Sequence, residues 1–389
     1  MKKGLRVADI IKLIPENVLD KLAEKTQVDR HVKKLSGKSL FQLFVFSLLS
    51  SERMSLRVME NYYQSEHFKT WTGEDKGATK HTSLSDRLRT IQASYFEAIF
   101  HYLMDAIPQT SKHKKRLKIT RFDSTLIRLS SQLLQIGLPT QKGKYREIKF
   151  TVALEDIPKQ LKVFIDKSAV GSEEIALKNA ILNHAQAQEG IILFDRGIRS
   201  RKTYKEIDEQ AIQFITRLRT GSQYQMLRHL SHVQGQQVGD LQLEQDIEIL
   251  LAQRGLDWLA PKFRLIIASA KEGKEMLYFL TNNRTLPAAE IAELYKRRWD
   301  IEVFFRFIKQ ELNAKHFVSR DLNGISVILY MIMIVAIMLL IYKLSNNLSG
   351  FKLVKLHFKQ ELEVEIMKDI ILFCGGDPTR LADRWRVVS

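Results

Sequence analysis

Cysteine is nearly absent: Cys374 is the only one in 389 residues. That excludes an internal disulfide framework and any Cys-rich zinc module, and it fits a reducing interior. Negative charge is also short. Against 61 Lys and Arg stand 44 Asp and Glu, a net charge of +17. Such a surplus points to a polyanion, either nucleic acid or an acidic membrane face. It names a partner class and no reaction, because purely structural nucleic-acid binders share it. The ten histidines show no HExxH or paired metal spacing, so no ligand role is expected of them. There is no internal repeat and no low-complexity tract. The opening residues, MKKGLRVADIIKLIPENV, lack the continuous apolar core and small-residue cleavage site of a signal peptide.

What is present describes a globular protein. Hydrophobic residues make up 45%, and the length suggests two or three domains. One stretch, Ile325 to Tyr342, runs 18 residues without a charge. That meets the length rule for a spanning helix. A helix buried on all sides of a large core has the same composition. The stretch is solitary and directly follows a basic helix, so the core reading is preferred and no membrane partner is expected.

Residues 1 to about 110 carry apolar residues at helical spacing, as in KSLFQLFVFSLLS and ASYFEAIFHYLMDAI. Between them, Ser83 or Ser85 could cap a short helix with Arg87 and Arg89, either entering a DNA groove or facing solvent. The pattern changes near Arg116. RLKITRFDSTLIRLS reads as a strand carrying Asp123, and REIKFTVAL and QLKVFID as two more. SEEIALKNAILNHA is an amphipathic helix capped by Ser172. IILFD is a short apolar strand ending at Asp195, RSRKTYKEIDEQ a helix, and IQFITRL a fifth strand. The order β-β-β-α-β-α-β implies a mixed sheet with helices on its faces.

Residues 219–283 are Gln-rich and Gly-spaced and read as an inserted, mostly β subdomain. AAEIAELYKRRWDIEVFFRFIKQEL then returns as one long helix behind Pro287. The expected domains are helical and DNA-binding over 1–112, catalytic over 113–343, and a helical tail over 344–389.

Strand ends are where ligands gather in an open α/β sheet. If the strands of Asp123 and Asp195 are neighbours, their carboxylates share a crevice that Glu302 can enter from the long helix. Three such oxygen ligands suit Mg²⁺. On a single helix Tyr295, Arg298, Glu302, Arg306 and Lys309 fall within roughly an 80° arc. One polar stripe therefore lies on an otherwise apolar helix. A carboxylate there is costly unless paired or metal-bound. Spacing alone leaves two readings open: a metal ligand flanked by phosphate-binding cations, or an i, i+4 salt bridge between Arg298 and Glu302.

The spacing Tyr-x2-Arg-x3-Glu-x6-Lys, here Tyr295, Arg298, Glu302 and Lys309, resembles the signature of the IS4-family DDE transposases of bacterial insertion sequences. FDST around Asp123 and FDRG around Asp195 are similar to that family's two acidic motifs. The resemblance covers about residues 115–343 and implies an α/β fold: an RNase H-like mixed sheet flanked by helices, with a β-rich insertion and a helical N-terminal domain. It implies a metal-binding catalytic triad of Asp123, Asp195 and Glu302. Two Mg²⁺ ions are implied, with Mn²⁺ as a substitute. Tyr295, Arg298 and Lys309 would contact the transposon-end backbone, and Arg196 is a further phosphate contact. The implied activity is cleavage of transposon-end DNA and joining of the freed 3′-hydroxyl to target DNA. The implied partners are double-stranded inverted-repeat ends, target DNA and a second copy of the chain, forming a homodimer on DNA. The implied setting is the bacterial cytoplasm, at the nucleoid. Some members hold a flipped base on a tryptophan; Trp258 and Trp299 are candidates, and a core position is the plainer expectation for each. The family often writes an aromatic after DRG where this chain has Ile198.

Weaker signals remain. KHKKRLK, Lys112 to Lys118, could touch DNA or be a solvated linker. In GKYREIK, Lys144 and Arg146 could flank the site or form an ordinary basic strand edge. Two further hypotheses stand beside the transposase: a domesticated DNA-binding protein or nuclease without mobility, and a nucleic-acid binder anchored by Ile325 to Tyr342.

Overall fold

In a computed structural model the described residues are 4–73, 77–107, 117–130, 138–139, 145–164, 170, 172–184, 187–252, 257–270, 275–314, 317–319 and 321–379. Lys144 and most of the Lys112–Lys118 run lie outside them. The chain divides into two compact units. One comprises residues 1–110, 129–136 and 306–389, the other 111–128 and 137–305.

The first unit is helical. Its N-terminal part is α1 (Val7–Ile11), α2 (Glu16–Thr26), α3 (Gly37–Ser50), α4 (Leu56–Gln64), α5 (Glu66–Thr72), α6 (His81–Thr90) and α7 (Ala93–Ala106). Serine caps start several of them: Ser36 accepts from the Ser39 amide and Ser55 from that of Val58. Arg87 of α6 does not face a groove. It is buried, with Nε–H donating to the Leu35 carbonyl at 2.9 Å and Nη2 reaching Val28 O at 2.9 Å and Asp29 at 3.1 Å. A guanidinium that satisfies two loop carbonyls is held there by the cost of leaving them unpaired. Arg89 stays exposed beside Asp86.

The second unit is built on a sheet. Its elements are β1 (Ile119–Ser130), β2 (Leu138–Pro139), β3 (Tyr145–Leu154), β4 (Pro158–Phe164), α8 (Glu173–Leu182), β5 (Ile191–Phe194), α9 (Arg201–Glu209) and β6 (Gln213–Arg217). There follow β7 (Tyr224–Ser231), β8 (Gln237–Val238), β9 (Leu241–Ala252), β10 (Trp258–Ala270), β11 (Met276–Thr281) and α10 (Ala288–Lys296). The strand order is β2-β3-β1-β5-β6-β11-β10-β9-β7, with β4 on β3 and β8 on β9. β1, β5 and β6 are parallel, the other pairs whose register is given antiparallel. This is the mixed, RNase H-like arrangement expected from the motifs.

Residues 219–283 carry β7 to β11, the β-rich insertion expected. β11 pairs with β6, Phe279 opposite Arg217, so the insertion prolongs the same sheet. Phe122, Phe194 and Phe214 pack with α8 and α9 residues such as Leu177 and Ile207 on one face. Ile191, Leu193, Ile215 and Phe279 pack with Ile291 and Tyr295 of α10 on the other. Burial on both faces explains why β5 is apolar at every position.

The long helix expected from 288 to 312 is two helices, α10 and α11 (Trp299–Glu311). Around Arg297 and Arg298 the backbone bonds tighten to i→i−3: Arg298 N–H donates to Tyr295 O, Asp300 N–H to Arg297 O and Ile301 N–H to Arg298 O. The helix is interrupted there, but the i→i−3 turn keeps Tyr295 and Arg298 on one face. From Arg306 onward α11 belongs to the helical unit.

That unit closes with α12 (Leu322–Ser345) and α13 (Phe351–Phe373). The expected boundary at 343 does not coincide with the compact units, because α1, α3, α6, α7 and α13 pack around α12. Its apolar window is 89% buried, so it is a core helix. Asp321 caps it, accepting from the Gly324 amide at 2.8 Å.

In the sheet unit Asp246 of β9 is fully buried and held by a two-pronged bond from Arg264 of β10, 2.8 Å on each oxygen. Arg264→Met should leave that carboxylate buried without its counter-ion and cost about 3–5 kcal/mol. Urea titration would register the loss, and adding Asp246→Leu should recover most of it.

Candidate active site

Parallel pairing sets the first two acids side by side. Phe122 of β1 lies opposite Phe194 of β5, so Asp123 and Asp195 each stand one residue beyond that pair. With Phe122 and Phe194 turned into the core under α8 and α9, strand alternation turns both acids to the α10 face. Asp123 accepts the Ser124 amide at 2.8 Å, and the Ser124 hydroxyl is bonded to Thr151 of β3 at 2.7 Å. Burial pushes its carboxyl up to about 7, with Glu173 and Asp195 adding to the rise and the Ser124 amide and Arg298 opposing it.

The basic motif meets these acids in part. Tyr295, at the end of α10, donates its hydroxyl to Asp195 Oδ1 at 3.2 Å. Burial first, then the Asp195 charge, pushes its phenol well above its usual range, so it stays a donor. Arg298 stacks 5.8 Å from the Tyr295 ring and donates Nη2–H to Glu302 Oε1 at 2.6 Å. Its Nε is buried and has no hydrogen-bond partner among the described residues. Arg196 approaches Asp195 only to 4.0 Å and is exposed. Lys309 lies two turns further along α11, within the helical unit.

The family signature implies a divalent ion here, and the donors meet that need in two of three members. Asp123 and Asp195 are neighbours whose charges oppose each other, a pair that a cation would relieve. Glu302 is occupied by Arg298, and among the described residues no three acidic or histidine side chains converge closely enough to hold one ion.

Several residues of the site were not found from sequence. A cleft of about 670 Å³ opens beside Asp195 and is lined by Glu173, Arg196, Arg199 and Arg219, among others. Arg199 and Arg219 make no ion pair among the described residues. Glu173 opens α8 and reaches Gly197, where a Cβ would come within 2.9 Å of its carboxyl carbon. A Cβ there would also crowd the end of the Leu177 side chain, so both side chains would have to shift. The adjacent Ile198 is buried, and its carbonyl accepts the Tyr204 hydroxyl at 2.8 Å. The capped start of α8 was legible; which of its two glutamates faced the site was not. Trp258 and Trp299 are 46% and 52% exposed, so neither is the core tryptophan expected.

The site thus sets paired aspartates at neighbouring strand ends of a mixed sheet, with the Tyr295 hydroxyl on one of them. The family model described as "Transposase DDE domain" matches residues 118–339. The chain therefore belongs to the DDE transposases, here of the insertion-sequence kind. A domain described only as of unknown function matches residues 6–70. The chain is 26% identical over 269 residues to "Putative transposase y4zB" of Sinorhizobium fredii, covering 68% of this chain and 72% of that protein. It is 22% identical over 179 residues to "Putative transposase for insertion sequence element IS4SA" of Synechocystis, covering 46% and 48%.

The raised Asp123 carboxyl carries a testable cost. Unfolded, it titrates near 3.8; folded, near 7. Between those values the folded chain keeps a proton that the unfolded chain has lost, so stability falls as pH rises through that window. In metal-free buffer Asp123→Asn should melt above wild type at pH 8, by about 5 °C or more. At pH 4 the two should melt together. Equal melting at both pH values would mean that Asp123 is not buried as described.

Proposed function

We propose that this transposase cuts the inverted-repeat ends of its own element and joins the freed 3′-hydroxyl to target DNA. Asp123, Asp195 and Glu302 are the residues that would hold two Mg²⁺ ions, with Mn²⁺ able to replace them. Bound, such ions activate a water or 3′-hydroxyl and stabilise the leaving oxygen of the phosphodiester. The reaction would run on double-stranded DNA, in the bacterial cytoplasm, with two copies of the chain bringing two ends together. The helical residues 1–112 would carry end recognition.

One observation carries this reading: Tyr295 and Arg298, the cations and donors of the motif, are bonded to the very carboxylates, Asp195 and Glu302, that would act. A backbone phosphate offers the same kind of acceptor as a carboxylate. When DNA takes the Arg298 guanidinium, whose Nε has no hydrogen-bond partner among the described residues of the free protein, Glu302 is released. The Tyr295 hydroxyl shifts from Asp195 to a phosphate in the same way. Arg196 and Lys309 add charge for the strand. Substrate and carboxylate ligands are thus assembled together rather than separately.

The test is cleavage of a plasmid carrying the gene's native flanks, with Mg²⁺. Wild type should cut at both element borders. Glu302→Gln should bind the ends and cut at least about 10³-fold more slowly, the scale of several kcal/mol of lost charge stabilisation. A variant cutting at wild-type rate would remove Glu302 from the site. Binding to the flanks without cutting by either protein would favour a domesticated DNA-binding protein. Arg298→Ala should weaken end binding and reduce its salt slope by about one.

A further inference from the structure

We propose that Arg121 is a positioning residue for DNA cleavage: from β1 it fixes where the chain leaves α10 and enters α11. The inference rests on the transposase reading of Asp123 and Glu302 and adds a residue that the acidic motifs do not contain. Arg121 stands two positions before Asp123 and so projects from the same face of β1. Its side chain is 2% exposed. All three arms of the guanidinium are used. Nε–H donates to the Arg297 carbonyl at 2.6 Å, Nη1 to the Glu155 carbonyl at 2.9 Å, and Nη2 reaches Asp300 at 2.8 Å.

Two of these contacts fall on the break between the helices. In an unbroken helix the Arg297 carbonyl would accept from the Ile301 amide. Here Ile301 turns to Arg298, and the Arg297 carbonyl is shared by the Asp300 amide and Arg121. The tightened backbone and the buried guanidinium account for each other. Arg298 follows directly, and Glu302 is one turn on. The strand of the first aspartate thereby sets the height and rotation of the helix that carries the glutamate.

A buried ion pair is weak grounds for stability, since an apolar replacement often does as well. A planar fork that fixes two carbonyls and a carboxylate at set angles supplies geometry instead, and lysine cannot reproduce it. Positional errors of about 1 Å at a reacting centre can cost about 10²-fold in rate.

The test uses full-length Arg121→Lys and Asp300→Asn. Hydrogen exchange of residues 294–305, the melting temperature, end binding and cleavage are each measured. Arg121→Lys should speed exchange in 294–305 about tenfold or more while β9, β10 and α8 keep their protection. Cleavage should fall about 10²-fold, with end binding reduced far less. Asp300→Asn keeps both carbonyl contacts and should show the same local change to a smaller degree, which covers the case of a lysine variant that does not fold. Unchanged exchange at 294–305 with cleavage near wild type in the folded variants overturns the proposal. So does exchange that rises across the whole sheet, which would make Arg121 a stability element only. Failure of the underlying reading is separate: Glu302→Gln would then cut as wild type does, whatever Arg121→Lys shows.

Discussion

The parallel pairing of β1 with β5 is the contact on which the site depends. Phe122 opposite Phe194 places one aromatic from each strand in the core beneath α8 and α9. A slip of one residue in either strand would turn its phenylalanine out and its aspartate in. The hydrophobic effect therefore fixes the separation of two like charges that would otherwise move apart. Asp123 resists ionisation in the folded chain chiefly because it is taken out of water, with the Asp195 charge adding a smaller push.

The opposite arrangement lies a few strands away in the same sheet. Asp246 is more deeply buried than Asp123, yet Arg264 answers it on both oxygens and Ser231 donates to it as well. Arg264 also bonds the Leu286 carbonyl at 2.7 Å, just before α10 begins. One buried acid is fully satisfied and anchors structure; the other is left short of partners. The contrast separates scaffold from site more sharply than burial alone.

Much of this was legible in the sequence because the signals were local. FDST and FDRG sat at strand positions, alternation and apolar runs gave the strand order, and the Tyr-Arg-Glu-Lys spacing gave the family. What was missed depended on partners far away in the chain. Nothing near Arg297 announces a helix break, because the group that takes its carbonyl is Arg121, on β1. The residues from 219 to 283 read as β, but their union with the central sheet rests on β11 finding β6. Arg87 read as either groove-facing or solvated, and it is neither, because Leu35, Val28 and Asp29 claim it. For Glu302 the spacing had left a metal ligand and an Arg298 salt bridge both open, and the local bond to Arg298 is the one formed in the free protein.

The apolar α12 has a consequence for how the chain is made. Ribosomes release a protein N-terminus first, and domains fold in that order. Of the helices that cover α12, α1, α3, α6 and α7 are all synthesised before it, and only α13 comes after. The apolar helix thus meets a waiting groove as it emerges. A product that started downstream of α7 would emerge with the same uncharged segment and nothing to receive it. By length and composition alone such a segment is indistinguishable from a membrane span, so it is the covering helices that make it a core element.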